Sequence, residues 1–351
     1  MKSLITKFIA AYVIFSGLLF GIIYFFKFEN SLWIFALALF VFVTAIIFLF
    51  IIRPIRAVLY QMQLVLGGKK FKKIYTKRVD EVGILAHFFN QVMEGFKEVA
   101  SDIKDRKRIL DELTVATELQ KQLFPAEIPS FDDLNVTVKN RPATELGGDS
   151  YDFVETKDRI YFYVGDVTGH GTTAALIMSM VNAMIDTFAG LLNSAYEIIV
   201  NTNKDLRKHI KTSMYMTLVM LCWDKNAKKM TYVGAGHEHI LVYRKATGQI
   251  DDIVSGGTAL GMVEDVSATT KEQEIVTGKG DIVVLYSDGI TEAKNTSGEL
   301  YGIERLKKAL AEYGSQYSSS GVCHHISQDL AAFVGDESQI DDMTLMAIEK
   351  K

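Results

Sequence analysis

Gly165-Asp166-Val167-Thr168-Gly169-His170-Gly171 follows the apolar run 160–164 and leads into a helical pattern that begins near Thr173. An aspartate at a strand end, followed by glycines, holds a carboxylate over a turn whose backbone can approach a ligand closely. Three other acidic sites share that setting. Gly147-Gly148-Asp149 precedes Tyr151-Asp152, Ser287-Asp288-Gly289 closes an apolar run, and Asp341-Asp342-Met343-Thr344 opens the last one. One such site would be only a good turn. Together they offer carboxylates that would repel one another if they converged without a counter-charge.

Carboxylate oxygens suit hard divalent cations such as Mg²⁺ and Mn²⁺, and no cysteine or close histidine pair supplies a zinc set. Asp149, Asp166, Asp288 and Asp341 carry one negative charge each, which two dications would neutralise. Two such ions, about 3.5–4 Å apart, would activate a water for in-line attack on phosphorus and stabilise the charge that builds there.

From Leu134 onward short apolar runs alternate with glycine and acidic turns. Strands are predicted at 135–140, 160–164, 215–223, 230–234, 240–244, 282–286 and 343–348, and helices near 173–189, 197–210, 302–313 and 321–334, a mixed α/β domain. The four acidic sites, in this order, resemble the PPM-type protein phosphatases and within them the SpoIIE-type bacterial branch, over about residues 115–350. Supporting marks are the lead-in segment 116–125, Thr217 in a strand, Ala235-Gly236-His237, Leu260-Gly261 and Thr291-Glu292.

The resemblance implies an α-β-β-α sandwich over residues 129–351 with metal-dependent protein serine/threonine phosphatase activity. It implies two Mn²⁺ or Mg²⁺ ions, with Asp166 bridging both, Asp288 and Asp341 completing one site, and Asp149 with the Val167 carbonyl completing the other. Asp342 stands beside the final ligand, either holding a further ion or a water, or serving as an ordinary strand-start acid. His170 faces a similar choice between a metal-bound water and a structural hydrogen bond, while His237 reads as structural. No arginine adjoins the aspartates to clamp phosphate, and Arg141 is the nearest substitute. The substrate implied is a phosphoserine or phosphothreonine on a STAS-type anti-sigma-factor antagonist, as in bacterial partner switching.

The front of the chain differs. Residues 4–26 are apolar except for Thr6, Lys7 and Ser16, and residues 32–52 except for Thr44. About 20 residues at about 1.5 Å each cross the roughly 30 Å of bilayer hydrocarbon, so residues 1–52 read as a transmembrane hairpin. No small-residue cleavage site follows the first run, against a signal peptide. Lys2, Lys7, Arg53 and Arg56 flank the spans on one side, and Lys27-Phe28-Glu29-Asn30 between them is neutral overall. That asymmetry puts both chain ends in the cytoplasm, at the inner membrane.

Residues 53–105 start with Arg53-Pro54-Ile55, break at Gly67-Gly68, and resume at Asp80-Glu81-Val82-Gly83 before an apolar stripe of Ile84, Leu85, Phe88, Phe89, Val92 and Met93. The pattern resembles a HAMP relay domain, which implies a homodimer through a parallel four-helix bundle. Ile103, Leu110, Thr117 and Phe124 then recur every seven residues, a coiled-coil linker over 106–128 whose Thr117 and Gln120 make a weak seam. Pro125 and Pro129 end it.

A net charge of −4 argues against nucleic acid as a partner. Cys222 and Cys323 lack any metal or redox spacing and read as core residues. A diguanylate cyclase also carries a Gly-Gly-Asp turn, but Ser150 and Tyr151 replace the acid and aromatic it needs next. A histidine kinase lacks its helix histidine here, and a non-enzymatic scaffold would have lost acidic ligands that this chain retains.

Overall fold

The computed structural model describes residues 4–26, 31–78, 80–211 and 213–351. Lys2 and the 27–30 loop, used above for topology, lie outside them. The chain forms two compact units, Met1–Ile109 and Leu110–Lys351.

In the first unit, α1 (Leu4–Phe26) and α2 (Ser31–Ile47) pair, with Phe15 stacked on Phe42 at 3.6 Å. A π-helical turn, Phe48–Ile52, carries α2 into α3 (Arg53–Leu66), whose first turn holds Pro54 where no N–H is required. Large side chains such as Val13, Leu18, Phe20, Trp33, Leu37 and Phe40 point outward along α1 and α2. The segment Trp33–Leu66 and the shorter Thr6–Ile22 are the apolar helices of this unit, by length and composition.

Helix α4 (Glu81–Lys121) is continuous for 41 residues. Its start explains the acidic-glycine signature. Asp80 accepts the Gly83 N–H at 3.2 Å and binds Lys7 Nζ at 2.9 Å and Arg78 Nε at 3.0 Å. Burial would raise the Asp80 carboxyl, but these bonds outweigh it and hold the group well below the usual carboxylate range. A Cβ on Gly83 would fall 2.1 Å from the Arg78 carbonyl oxygen, so only glycine lets the connector lie against the helix. Asn90 exchanges two hydrogen bonds with the Ile74 backbone, and Phe71 packs edge-on to Phe89.

The second unit contains β1 (Leu134–Arg141), β2 (Ser150–Glu155), β3 (Arg159–Val167), α5 (Thr172–Ala189), α6 (Ala195–Leu206), β4 (Met216–Asp224), β5 (Lys229–Ala235), β6 (Ile240–Tyr243), β7 (Ile250–Ile253), β8 (Glu272–Ile275), β9 (Ile282–Tyr286), α7 (Asp288–Thr291), α8 (Gly302–Gln316), α9 (Ser319–Val334) and β10 (Met343–Lys350). Two antiparallel sheets, β1-β10-β9-β6-β7 and β2-β3-β4-β5-β8, pack face to face. Helices α5 and α6 cover one outer face and α8 and α9 the other, an α-β-β-α sandwich.

Period-two alternation builds its layers. In β3, Phe162 and Val164 enter the core between the sheets while Tyr161 and Tyr163 face α5; in β9, Val283 and Leu285 face inward while Val284 and Tyr286 meet α8 and α9. Both cysteines are free and buried. Strands β2, β7 and β8 escaped the sequence pattern because all three are short sheet edges rich in polar residues. Helix α5 is apolar and long enough to cross a membrane, but its buried face belongs to the core against β3. The seven-residue repeat also overran the helix. Since α4 ends at Lys121, Phe124 lies beyond the helix and stacks on Tyr151 at 4.8 Å.

Candidate metal centre and active site

Strand register gathers the acids at one end of the sandwich. Ser150 pairs with Gly165, which sets Asp149 and Asp166 side by side at the edge of one sheet. In the other sheet Ser287 N–H donates to the Thr344 carbonyl at 3.0 Å, which brings Asp288 beside the start of β10. A Cβ on Gly289 would fall 1.9 Å from the Asp342 carbonyl oxygen, so glycine is required for α7 to approach β10.

Asp149 ties the two sheets together. Its side chain is almost fully buried, and its Oδ2 accepts Ser287 Oγ at 2.7 Å and Thr344 Oγ1 at 2.5 Å. Thr344 Oγ1 in turn accepts Asn140 Nδ2 at 2.8 Å. The other oxygen, Oδ1, is buried with no hydrogen-bond partner. A carboxylate oxygen so stranded costs several kcal/mol unless a cation meets it.

The charges press on one another. Burial first, and then Asp149, Asp288, Asp341 and Asp342, push the Asp166 carboxyl up to about 9. Burial and the neighbouring Asp342 and Asp288 bring Asp149 up to about 7 against the pull of its two hydroxyl partners. Burial, Asp341, Glu292 and Glu238 raise Asp288 to about 6. Among the described residues no group of three or more acidic, histidine or cysteine side chains is drawn into a closed ligand shell.

The donor set nevertheless fits hard divalent cations: hard oxygens only, one of them orphaned, with the Val167 carbonyl within 3.2 Å of where a Gly148 side chain would begin. Asp149, Asp166, Asp288 and Asp341 and the Val167 carbonyl are the groups that could hold them. Asp342 also binds the loop backbone. Its carboxylate accepts the N–H groups of Ala143 at 2.7 Å, Gly148 at 2.5 Å and Asp149 at 3.3 Å, and so shapes the loop that presents Asp149.

His170 is exposed in the turn after Asp166. His237 is buried, with Nε2 against the Tyr286 carbonyl at 3.1 Å and Nδ1 against Thr217 Oγ1 at 2.9 Å, a structural position. Arg141 lies at the end of β1, lining a cavity with Gln339 and residues of α9. Ser287, Thr344 and Gln120 were not singled out as functional residues, because hydroxyls and amides carry no spacing signature. Gln120 Nε2 donates to the Gly147 carbonyl at 2.7 Å and its Oε1 accepts the Gly147 N–H at 3.1 Å, clasping the loop from the end of α4.

Residues 156–351 match the family model of stage II sporulation protein E (SpoIIE). The phosphoserine phosphatase RsbU of Bacillus subtilis is 27% identical over 287 residues, covering 81% of this chain and 84% of that protein. Among solved structures, the SiaA PP2C domain of Pseudomonas aeruginosa superposes with a TM-score of 0.61 at 20% identity, over 70% of this chain and 98% of that domain. The RsbU and RsbW domains of a Mycobacterium tuberculosis protein give 0.57 at 22% identity, over 66% of this chain and 63% of that one.

Proposed function

The chain belongs to the SpoIIE family of protein serine/threonine phosphatases, and from that premise we propose that it is a membrane-anchored, Mn²⁺- or Mg²⁺-dependent enzyme acting on phosphoserine or phosphothreonine of a STAS-type protein partner. The observation that carries the metal dependence is the orphaned, buried Asp149 Oδ1 beside mutually repelling carboxylates. When bound, the two cations supply an activated water and neutralise charge on the transferring phosphoryl group. The chain's own part is orientation. Ser287 and Thr344 hold Asp149 by Oδ2 and leave Oδ1 free, Asp342 holds the loop, and Asp149, Asp166, Asp288 and Asp341 would hold the ions, the last three from β3, α7 and the approach to β10.

The outward apolar side chains of α1 and α2 support the bilayer anchor. On α4, Leu85, Phe88, Val92, Phe96, Val99 and Ile103 form an exposed stripe at three- and four-residue steps, with Leu110 seven residues further on, which suits a second copy of the chain and supports a HAMP-type homodimer. Because α4 ends in the Gln120 clasp on Gly147, a change in helix packing has a short path to Asp149. Regulation through that path is part of the proposal.

The test is Mn²⁺-dependent release of phosphate from candidate phosphoproteins by the intact chain and by Asp166→Asn. The variant should lose at least about 100-fold in turnover, the scale of removing a group that stabilises the transition state. Equal rates for the two would sink the metal-centre assignment. Equal rates for residues 115–351 and the full dimer under every condition would refute the regulatory coupling.

A further inference from the structure

The acidic centre accounts for phosphate chemistry but offers no grip on the protein that carries the phosphate. Two adjoining cavities extend away from it. The smaller, of about 70 Å³, is lined by Asp341, Gly289 and Gln339; the larger, of about 320 Å³, lies between α9 and the strands β1 and β10. Val334, Gln339 and Met343 line both, so one groove runs outward from Asp341. Gln339 Nε2 donates to the Arg141 and Asp341 carbonyls, each at 2.8 Å, and fixes the junction.

The larger cavity has an apolar floor that includes Ile326, Leu330 and Met343. Its rim is cationic. Val136 and Val138 pack into the core between the sheets, so the alternation of β1 turns Lys139 and Arg141 toward α9. Both are exposed, and neither makes an ion pair among the described residues. Glu337 is the acid on this rim, which leaves one net positive charge beside an apolar hollow. Its size suits side-chain capture, and apolar anchors with rim charges are how interfaces combine affinity with selection.

We infer that this groove docks the segment of the phosphoprotein substrate flanking its phosphorylated residue, an apolar side chain entering the cavity between α9 and β1 and an acidic one meeting Lys139 and Arg141. Continuity with Asp341 and the two unpaired cations favour this occupant over a second copy of the chain. The inference rests on the phosphatase reading.

The experiment uses the full chain in detergent with Mn²⁺, synthetic phosphoserine peptides and p-nitrophenyl phosphate. The peptides carry acidic-plus-apolar, neutral-polar or lysine-plus-apolar flanks. The unmodified chain should favour acidic-plus-apolar flanks at least tenfold in kcat/KM. Ala331→Trp, which fills the hollow from exposed α9, should lower the ratio of peptide to p-nitrophenyl phosphate turnover at least tenfold through KM. Lys139→Glu should shift preference toward the lysine-bearing peptides, a rescue that a misfolded variant would not show. No flank preference in the unmodified chain, or parallel loss on both substrate types in the variants, overturns the docking groove while the phosphatase reading stands. Failure of the unmodified chain to hydrolyse both the phosphopeptides and p-nitrophenyl phosphate overturns both.

Discussion

Asp149 has one oxygen engaged by two hydroxyls and the other bare, and that asymmetry is the feature on which the proposed cation binding turns. Partners that orient a ligand typically contribute about 10–100-fold in metal affinity. Thr344→Val should therefore raise the Mn²⁺ concentration for half-maximal activity by about that factor, with Thr344→Ser close to the unmodified chain, as read from Mn²⁺ activation curves. His237 gives a second residue-level expectation. Burial pushes its imidazole down to about 4 from an ordinary value of 6.5, against the pull of the Tyr286 carbonyl. Between those values the unfolded chain takes up a proton that the folded chain refuses. Stability is thus full above about pH 6.5 and declines as pH falls toward 4, by on the order of 3 kcal/mol from this group. Thermal melting of the full chain in detergent from pH 7 to 5 should show the decline, and His237→Gln should flatten it.

At the scale of elements, α4 reaches the catalytic unit through a side-chain amide, with Thr117 Oγ1 2.8 Å from the Glu145 carbonyl one turn earlier. Thr117 and Gln120, the two polar positions of the seven-residue pattern, both bond to the backbone of the loop that carries Asp149. Gln120→Ala would leave the buried Gly147 N–H and carbonyl unpaired, a cost of about 1–3 kcal/mol localised on the loop that carries Asp149. The expected result is a several-fold rise in the Mn²⁺ requirement, with the rate at saturating Mn²⁺ near that of the unmodified chain. An unchanged Mn²⁺ requirement would show that the clasp is only a helix stop.

For the whole molecule, the proposal of a membrane-held dimer makes a direct prediction: Ile103→Cys, exposed on the α4 stripe, should form a covalent dimer under mild oxidation in membranes, while a cysteine at exposed Lys104 should form far less. Both native cysteines are buried and should not interfere. The order of acidic turns, the alternating apolar runs and the long apolar segments at the front are local properties; they gave a mixed α/β domain behind two apolar helices, and the family resemblance they carry implied the sandwich and the ligand candidates. Short polar edge strands were not legible, because their pairing depends on a neighbour rather than on their own pattern. Nor was the end of α4, since Phe124 keeps the seven-residue spacing but lies past Lys121 and stacks on Tyr151. Only the tertiary structure decided that Asp342 shapes a loop, that Ser287 and Thr344 steer Asp149, and that Gln120 clasps Gly147. Each is a contact between residues more than 25 positions apart, made by side chains common enough that only their meeting in space distinguishes them.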